Sequence, residues 1–235
     1  MLDAAFDGTD VSVTEHANKR SKRSRISGKP IGGIAKRGFD IVFSAAALLA
    51  LSVVFLVISA LLYCFGGKGS IFFGHTRIGF NNKSFKCLKF RTMVPDAEEK
   101  LEALLKGNHA FAEEFARTHK LKNDPRIIPV IGSFLRKTSL DELPQFFNVL
   151  VGQMSVVGPR PVTREEVELY QGSRDMYLSA RPGVTGIWQV SGRSSTSFAE
   201  RVDMDVNYIK NWDFLTDVKV IFKTFSVFAG SKDAV

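Results

Sequence analysis

The hydrophobic pattern sets one long stretch apart from everything after it. From Ile41 to Phe65 the chain reads IVFSAAALLALSVVFLVISALLYCF, twenty-five residues without a charge. As a helix, such a stretch is long enough to cross a bilayer. The segment SIFFGHTRIGFNNKSFKCLKFRTM then predicts two strands around Asn81-Asn82, with Phe72, Ile78, Phe85, Leu88 and Phe90 facing inward in a short antiparallel hairpin. DAEEKLEALLKGNHAFAEEFARTHK follows as a charged amphipathic helical stretch, interrupted at Gly107-Asn108. Behind Ser139, Leu140, Leu143, Phe147 and Leu150 recur at helical spacing. GQMSVVGPRPVTREE is rich in turn residues, and RPGVTGIWQVSGR strings Gly183, Gly186 and Gly192 through a strand-like run. From Asp213 to Phe228, Phe214, Val218, Ile221, Phe222, Phe225 and Phe228 share one face of a last helix, with Lys219 and Lys223 elsewhere. That face either packs on the core or lies in a membrane interface.

The pattern predicts an α+β chain, largely helical with a small antiparallel sheet. Residues 1–35 read as a mobile basic tail, 36–66 as a membrane-embedded helix and 67–235 as a folded domain. With 235 residues and 45% hydrophobic content, one domain with a buried core is expected.

Charge bears on how the apolar segment sits. The formal net charge is +8, and eight of the 32 Lys and Arg lie in residues 1–37: Lys19, Arg20, Lys22, Arg23, Arg25, Lys29, Lys36 and Arg37. Beside an apolar segment, this cluster reads as a contact to anionic lipid at the cytoplasmic face, not as a nucleic-acid site. Lys68, Arg77, Lys83, Lys86, Lys89 and Arg91 follow the segment, so both of its ends are drawn to the cytoplasmic side. Hydropathy alone fits a spanning helix, and the charges fit a re-entrant one. A cleaved signal peptide is disfavoured by the segment's length and the GGKGS that follows it.

Cys64 and Cys87 form no metal-ligand pattern and read as ordinary buried thiols in a reducing compartment. Four histidines without HExxH leave little to build a transition-metal site on, while a hard cation held by oxygen atoms stays open. No Walker loop, nucleophile elbow or dinucleotide fingerprint is present.

What chemistry the chain has centres on TSLDELPQ, where Asp141 and Glu142 stand side by side. Ser139 and Glu142 fit a capping box, so the pair can be read as the acidic start of a helix. Pro144 disturbs that register, because it cannot donate a helical hydrogen bond. Either the helix is distorted there, or it starts at Pro144 with the pair on its approach. Arg136 and Lys137 lie upstream of the pair, with Arg160, Arg181 and Arg193 downstream, more cations than a cap needs. Arginines match phosphate oxygens bidentately, and Arg160 sits on stiff backbone between two prolines. A carboxylate among such arginines can attack phosphorus, and its neighbour can serve a metal or a proton. Pyrophosphate is the ligand this set suits.

Taken in order, KRGFD, FFGHTRIG, KFRTM, LRKTSLDELPQFFNVLVGQMSVVGPRP, RPGVTGIWQVSGR and YIKNWDFLTDVKVIFKT resemble the bacterial sugar transferases, the monotopic phosphoglycosyl transferases acting on polyprenol phosphate. The resemblance runs from Lys36 to the C-terminus and is to the short form of the family, with a single membrane segment. It implies transfer of a hexose-1-phosphate, galactose or glucose, from a UDP-sugar to undecaprenyl phosphate with release of UMP. A covalent intermediate and Mg2+ belong to that expectation, at the cytoplasmic face of the bacterial inner membrane. On matching positions, Asp141 would attack phosphorus, and Glu142 would bind Mg2+, together with Asp141, or take a proton. Arg136, Arg160, Lys89, Arg91 and Arg193 would hold phosphates. The resemblance also implies a re-entrant helix, amphipathic interfacial helices and contact with membrane lipid, and it is compatible with a homodimer. Where members commonly carry Ser-Pro in the membrane helix, this chain has Ser52-Val53. The alternative from another class is a non-catalytic scaffold of polysaccharide assembly that keeps the fold.

Overall fold

The computed structural model describes residues 28–118, 121, 124–191 and 196–230. Most of the expected basic tail over residues 1–35, together with Gly192 and Arg193, lies outside the described residues. The long apolar segment forms two helices, α1 (Gly33–Ala50) and α2 (Ser52–Phe65), bent by 61° about Leu51. No single helix among the described residues is long and apolar enough to cross a membrane; α1 and α2 meet the requirement of length and composition only together. The bend forms without proline, and α2 starts at Ser52 with no side-chain cap.

Helix α1 begins three residues before the expected boundary, because its first half belongs to the domain. Lys36, Asp40 and Ser44 recur every fourth residue and form one buried stripe. Lys36 pairs with Asp217 and lies 3.2 Å from the Tyr208 hydroxyl. Arg37 donates to the carbonyls of Val149 at 2.5 Å and Leu150 at 2.7 Å. Asp40 Oδ1 accepts from Ser155 Oγ and from the Val156 amide, both at 2.9 Å. The expectation that Lys36 and Arg37 face lipid headgroups is therefore corrected: both are committed to partners inside the fold.

Strands β1 (Phe72–Ile78) and β2 (Ser84–Phe90) pair antiparallel from Phe72↔Phe90 to Ile78↔Ser84. The turn is a short 3-10 segment, Phe80–Asn82, in which Asn81 and Asn82 take φ of 55° and 60°, a region asparagine tolerates. Ile78, Phe85 and Phe90 are buried as expected; Phe72 is 42% exposed, stacked only on Phe90 and Phe55. Cys87 is buried, whereas Cys64 on α2 is exposed, against expectation. Phe90 packs with Ile58, Leu62, Ile128 and Leu135, fastening α2 to the hairpin.

Helices α3 (Ala97–Gly107) and α4 (His109–Thr118) break at Asn108, where the sequence places the interruption. Then come α5 (Ile131–Thr138), a 3-10 turn at Leu140–Glu142 and α6 (Gln145–Leu150). Ser139 and Glu142 form no capping box: Ser139, with a φ of 54°, closes α5, and its side chain caps nothing. Helix α6 follows Pro144, so the acidic pair stands on the approach to it.

The turn-rich segment contains β3 (Ser155–Val157), and after α7 (Arg164–Glu168) and α8 (Arg174–Leu178) the chain returns as β4 (Gly183–Thr185). These two strands pair in parallel, Ser155↔Gly183 and Val157↔Thr185, a second sheet that periodicity did not reveal. A Cβ on Gly183 would lie 2.2 Å from the Gly158 amide nitrogen, so the glycine serves an approach of backbone to backbone. Helices α9 (Ile187–Ser191), α10 (Phe198–Lys210) and α11 (Phe214–Gly230) complete the fold. Met154, Val156, Val157, Val190, Tyr208 and Val220 form the core between β3 and the last helices. Helix α11 turns Asp217 and Val220 inward and leaves Phe214, Leu215, Phe222 and Phe225 exposed.

Candidate active site

Asp141 and Glu142 occupy the 3-10 turn between α5 and α6, and Lys89 reaches them from the end of β2. Lys89 Nζ lies 2.6 Å from Glu142 Oε1 and 3.4 Å from Asp141 Oδ2. The three charges form one cluster. Asp141 is 8% exposed, and burial pushes its carboxyl above the usual range; Lys89 opposes that shift and Glu142 adds to it. For Lys89, burial works against the ammonium, but Glu142 and Asp141 outweigh it and hold its pKa up.

The register of this cluster depends on Asn148, one turn into α6. Its Oδ1 accepts from the Leu88 amide at 2.9 Å, and its Nδ2 donates to the Lys86 carbonyl at 2.8 Å and to Gln153 Oε1 at 2.7 Å. Asn148 thus occupies the open edge of β2 as a neighbouring strand would, and that fixes Lys89 beside the carboxylates. Gln145, three residues earlier on α6, lines the same cleft, and both side chains are 2% exposed. Neither was singled out in the sequence. The signal was there, as two polar residues three apart in the otherwise apolar QFFNVL.

The cleft is lined by Lys89, Glu142, Gln145 and Arg160, with His75, Arg77 and Gln189 at its borders. Asp141 is not on its wall and meets it through Lys89. Arg160 follows β3 on Gly158-Pro159, whose close contact with Gly183 fixes where the Pro-Arg-Pro segment leaves the sheet. Arg136, in the last turn of α5, is exposed and bonded through Nε to Thr92 Oγ1 at 2.9 Å; its charge favours the Asp141 carboxylate. Arg91 is brought elsewhere. Its guanidinium is buried and donates to the carbonyls of Gly66 and Gly67, each at 3.1 Å, and of Lys68 at 3.2 Å. It ties down the turn at residues 66–68, just beyond the end of α2. Arg193 lies outside the described residues.

As a metal site, the donor set is small. Among the described residues no group of three His, Cys, Asp or Glu could hold a cation. Two adjacent carboxylates already converging on one ammonium nevertheless fit Mg2+, which is commonly held by one or two carboxylates together with substrate phosphates.

The bacterial sugar transferase family model matches residues 31–231. Over 196 residues, 83% of this chain and 86% of the relative, the chain is 52% identical to the exopolysaccharide production protein ExoY of Sinorhizobium fredii. It is 47% identical over 192 residues to the undecaprenyl-phosphate galactose phosphotransferase of Salmonella typhimurium, covering 82% of this chain and 40% of that one. With the UDP-glucose:undecaprenyl-phosphate glucose-1-phosphate transferase of Escherichia coli it shares 38% identity over 212 residues, 86% of this chain and 42% of that one. A match across nearly all the described residues, carrying the acidic turn and the Pro-Arg-Pro segment with it, decides the matter: the chain belongs to the bacterial sugar transferase family.

Proposed function

We propose that this protein transfers a hexose-1-phosphate, galactose or glucose, from a UDP-sugar to undecaprenyl phosphate, releasing UMP and starting assembly of an exopolysaccharide repeat unit. The observation that carries this reading is the buried Asp141 held against Lys89, which itself lines the cleft with Glu142 and Arg160. An Asp141 oxygen attacks the sugar-bearing phosphorus; that bond forms as the bond to the UMP oxygen breaks, and UMP leaves. An oxygen of undecaprenyl phosphate then attacks the same phosphorus and frees the Asp141 carboxylate. Lys89 and Arg160 hold phosphate oxygens, and a phosphate competing for the Lys89 ammonium releases Asp141 for attack. Arg136, on the other side of the pair, adds positive charge. Glu142 takes the acceptor's proton or, with Asp141, holds Mg2+. When bound, Mg2+ would neutralise charge on the diphosphate.

The reaction is placed at the cytoplasmic face of the inner membrane, with α1 and α2 as a re-entrant pair. Both ends of the pair are fastened to the same domain, α1 through Lys36, Arg37 and Asp40 and α2 through Leu62 and the Arg91 contacts, which supports entry and return through one leaflet. Exposed Val42, Leu49, Val53 and Leu56 face outward between those fastenings. Phe214 packs on Phe39 of α1, which joins the exposed face of α11 to this apolar surface.

The test is UMP release by the purified chain with Mg2+ and undecaprenyl phosphate, across UDP-galactose, UDP-glucose and their N-acetyl forms. Release with one donor, lost in Asp141→Asn, is the expected result. No release with any donor from folded protein would turn the reading toward the non-catalytic scaffold.

A further inference from the structure

The cations at the cleft differ in what already holds them. Lys89 is bound by Glu142 and Asp141, and Arg77 by Glu166 at 3.0 Å. Among the described residues, the Arg160 side chain has neither an ion pair nor a hydrogen bond, and its guanidinium carbon lies 5.0 Å from the centroid of the Trp188 ring. A guanidinium stacked on an indole keeps its N–H edge free for an anion. Trp188 also takes the guanidinium of Arg201, at 4.8 Å, while Arg201 Nε donates to the Thr196 carbonyl at 3.1 Å. The indole is 7% exposed, and its buried Nε1–H has no acceptor among the described residues. A phenylalanine or leucine would fill the space without that orphan donor, so filling the core does not account for tryptophan here. Its broad face, the best of the aromatics for a cation, does.

The main chain of Arg160 is held with equal care. Its carbonyl accepts from the Tyr177 hydroxyl at 3.0 Å; nearby, burial pushes the Asp205 carboxyl up to about 7 while the Tyr170 hydroxyl, which donates to it at 2.8 Å, and Arg160 favour its charged form. Asp205 and Tyr177 are 2% and 1% exposed, and neither lines the cleft.

We propose that Trp188 is a positioning residue for the donor's diphosphate, acting through Arg160: it holds the guanidinium from one face, so that the free edge meets a phosphate in the cleft. The inference rests on the phosphoglycosyl transfer reading and adds to it the residue that aims the phosphate-binding arginine.

The experiment is a set of cycles on the full chain in detergent, Trp188→Leu and Trp188→Phe, each made alone and with Arg160→Ala. UDP affinity is read by calorimetry, donor KM and kcat by UMP release, and folding by thermal unfolding. Trp188→Leu is expected to weaken UDP binding about tenfold and to raise donor KM by a similar factor, with Trp188→Phe recovering most of it. With Arg160 already alanine, Trp188→Leu should add less than about twofold, since groups acting through one residue are not additive. If Trp188→Leu does not fold, Trp188→Met, an apolar side chain without an aromatic face, gives the same comparison. Equal losses with and without Arg160, or a wild-type chain that binds no UDP, would overturn the assignment. A wild-type chain that binds UDP but releases no UMP would strike the transfer reading alone, because the binding cycles stand without turnover.

Discussion

Lys36 and Asp217, 181 residues apart in sequence, form a buried ion pair between the first helix and the last. Asp217 also accepts from the Tyr208 hydroxyl at 2.7 Å and from Trp212 Nε1 at 3.1 Å, so the carboxylate has donors from three directions. Removing one partner leaves a buried charge uncompensated. Lys36→Met should therefore lower stability by about 3–5 kcal/mol, and Lys36→Met with Asp217→Leu should recover part of the loss, because breaking a buried pair costs more than replacing it. Thermal unfolding in detergent checks this; a single variant as stable as wild type would mean that α1 is an independent anchor.

That pair also marks what could be read from the sequence. The apolar segment, the hairpin about Asn81-Asn82, the break at Asn108 and the candidate residues Asp141, Glu142 and Arg160 were all legible, because each has a local pattern of periodicity, turn chemistry or charge. Lys36 and Arg37 were misread as lipid-facing, since a charge next to an apolar run looks the same whether its partner is a headgroup or an aspartate far along the chain. The β3–β4 pairing was missed for the same reason: each strand is three residues long, too short for a period, and the two are brought together by packing across α7 and α8.

Asn148 tests how far the site depends on a side chain acting as a strand. Asn148→Ala leaves the Leu88 amide and the Lys86 carbonyl without partners, a loss of about 2–4 kcal/mol. It also frees Lys89 to drift from the carboxylates, and misplacement on that scale costs of order ten- to a hundredfold in kcat/KM. Asn148→Asp keeps an acceptor for Leu88 but no donor for Lys86 and should be nearly as poor. Full activity in either variant, measured by UMP release, would remove Asn148 from the site.

Helix α11 offers a test of membrane seating that needs no turnover. Phe222 is 68% and Phe225 62% exposed, while Asp217 and Val220 on the opposite side are buried. Burying such a side chain in lipid is worth about 1.5–3 kcal/mol, enough to set the helix's orientation at an interface. A fluorophore on Phe225→Cys, in the full chain in nanodiscs, should be quenched by nitroxide-labelled lipid, and one on Lys223→Cys should not. Equal quenching at both positions would mean that α11 does not lie on the bilayer.

The burial of Asp141 also bears on the stability of the fold that carries it. Burial, reinforced by Glu142 and opposed by Lys89, raises the Asp141 pKa above its ordinary value, so the folded state favours the protonated acid more than the unfolded chain does. The sign follows from linkage: this contribution to stability is fully present below the unfolded value, about 3.9, and is lost as pH rises through the higher folded value. Above the raised pKa, wild type holds an ionised carboxylate that the site disfavours, and Asp141→Asn does not. The variant should therefore unfold at a higher temperature than wild type at pH 7, with the difference closing as pH falls below about 4, while UMP release is lost at every pH. A lower unfolding temperature at pH 7 would mean that Lys89 compensates Asp141 fully and that the carboxylate carries no strain toward reaction.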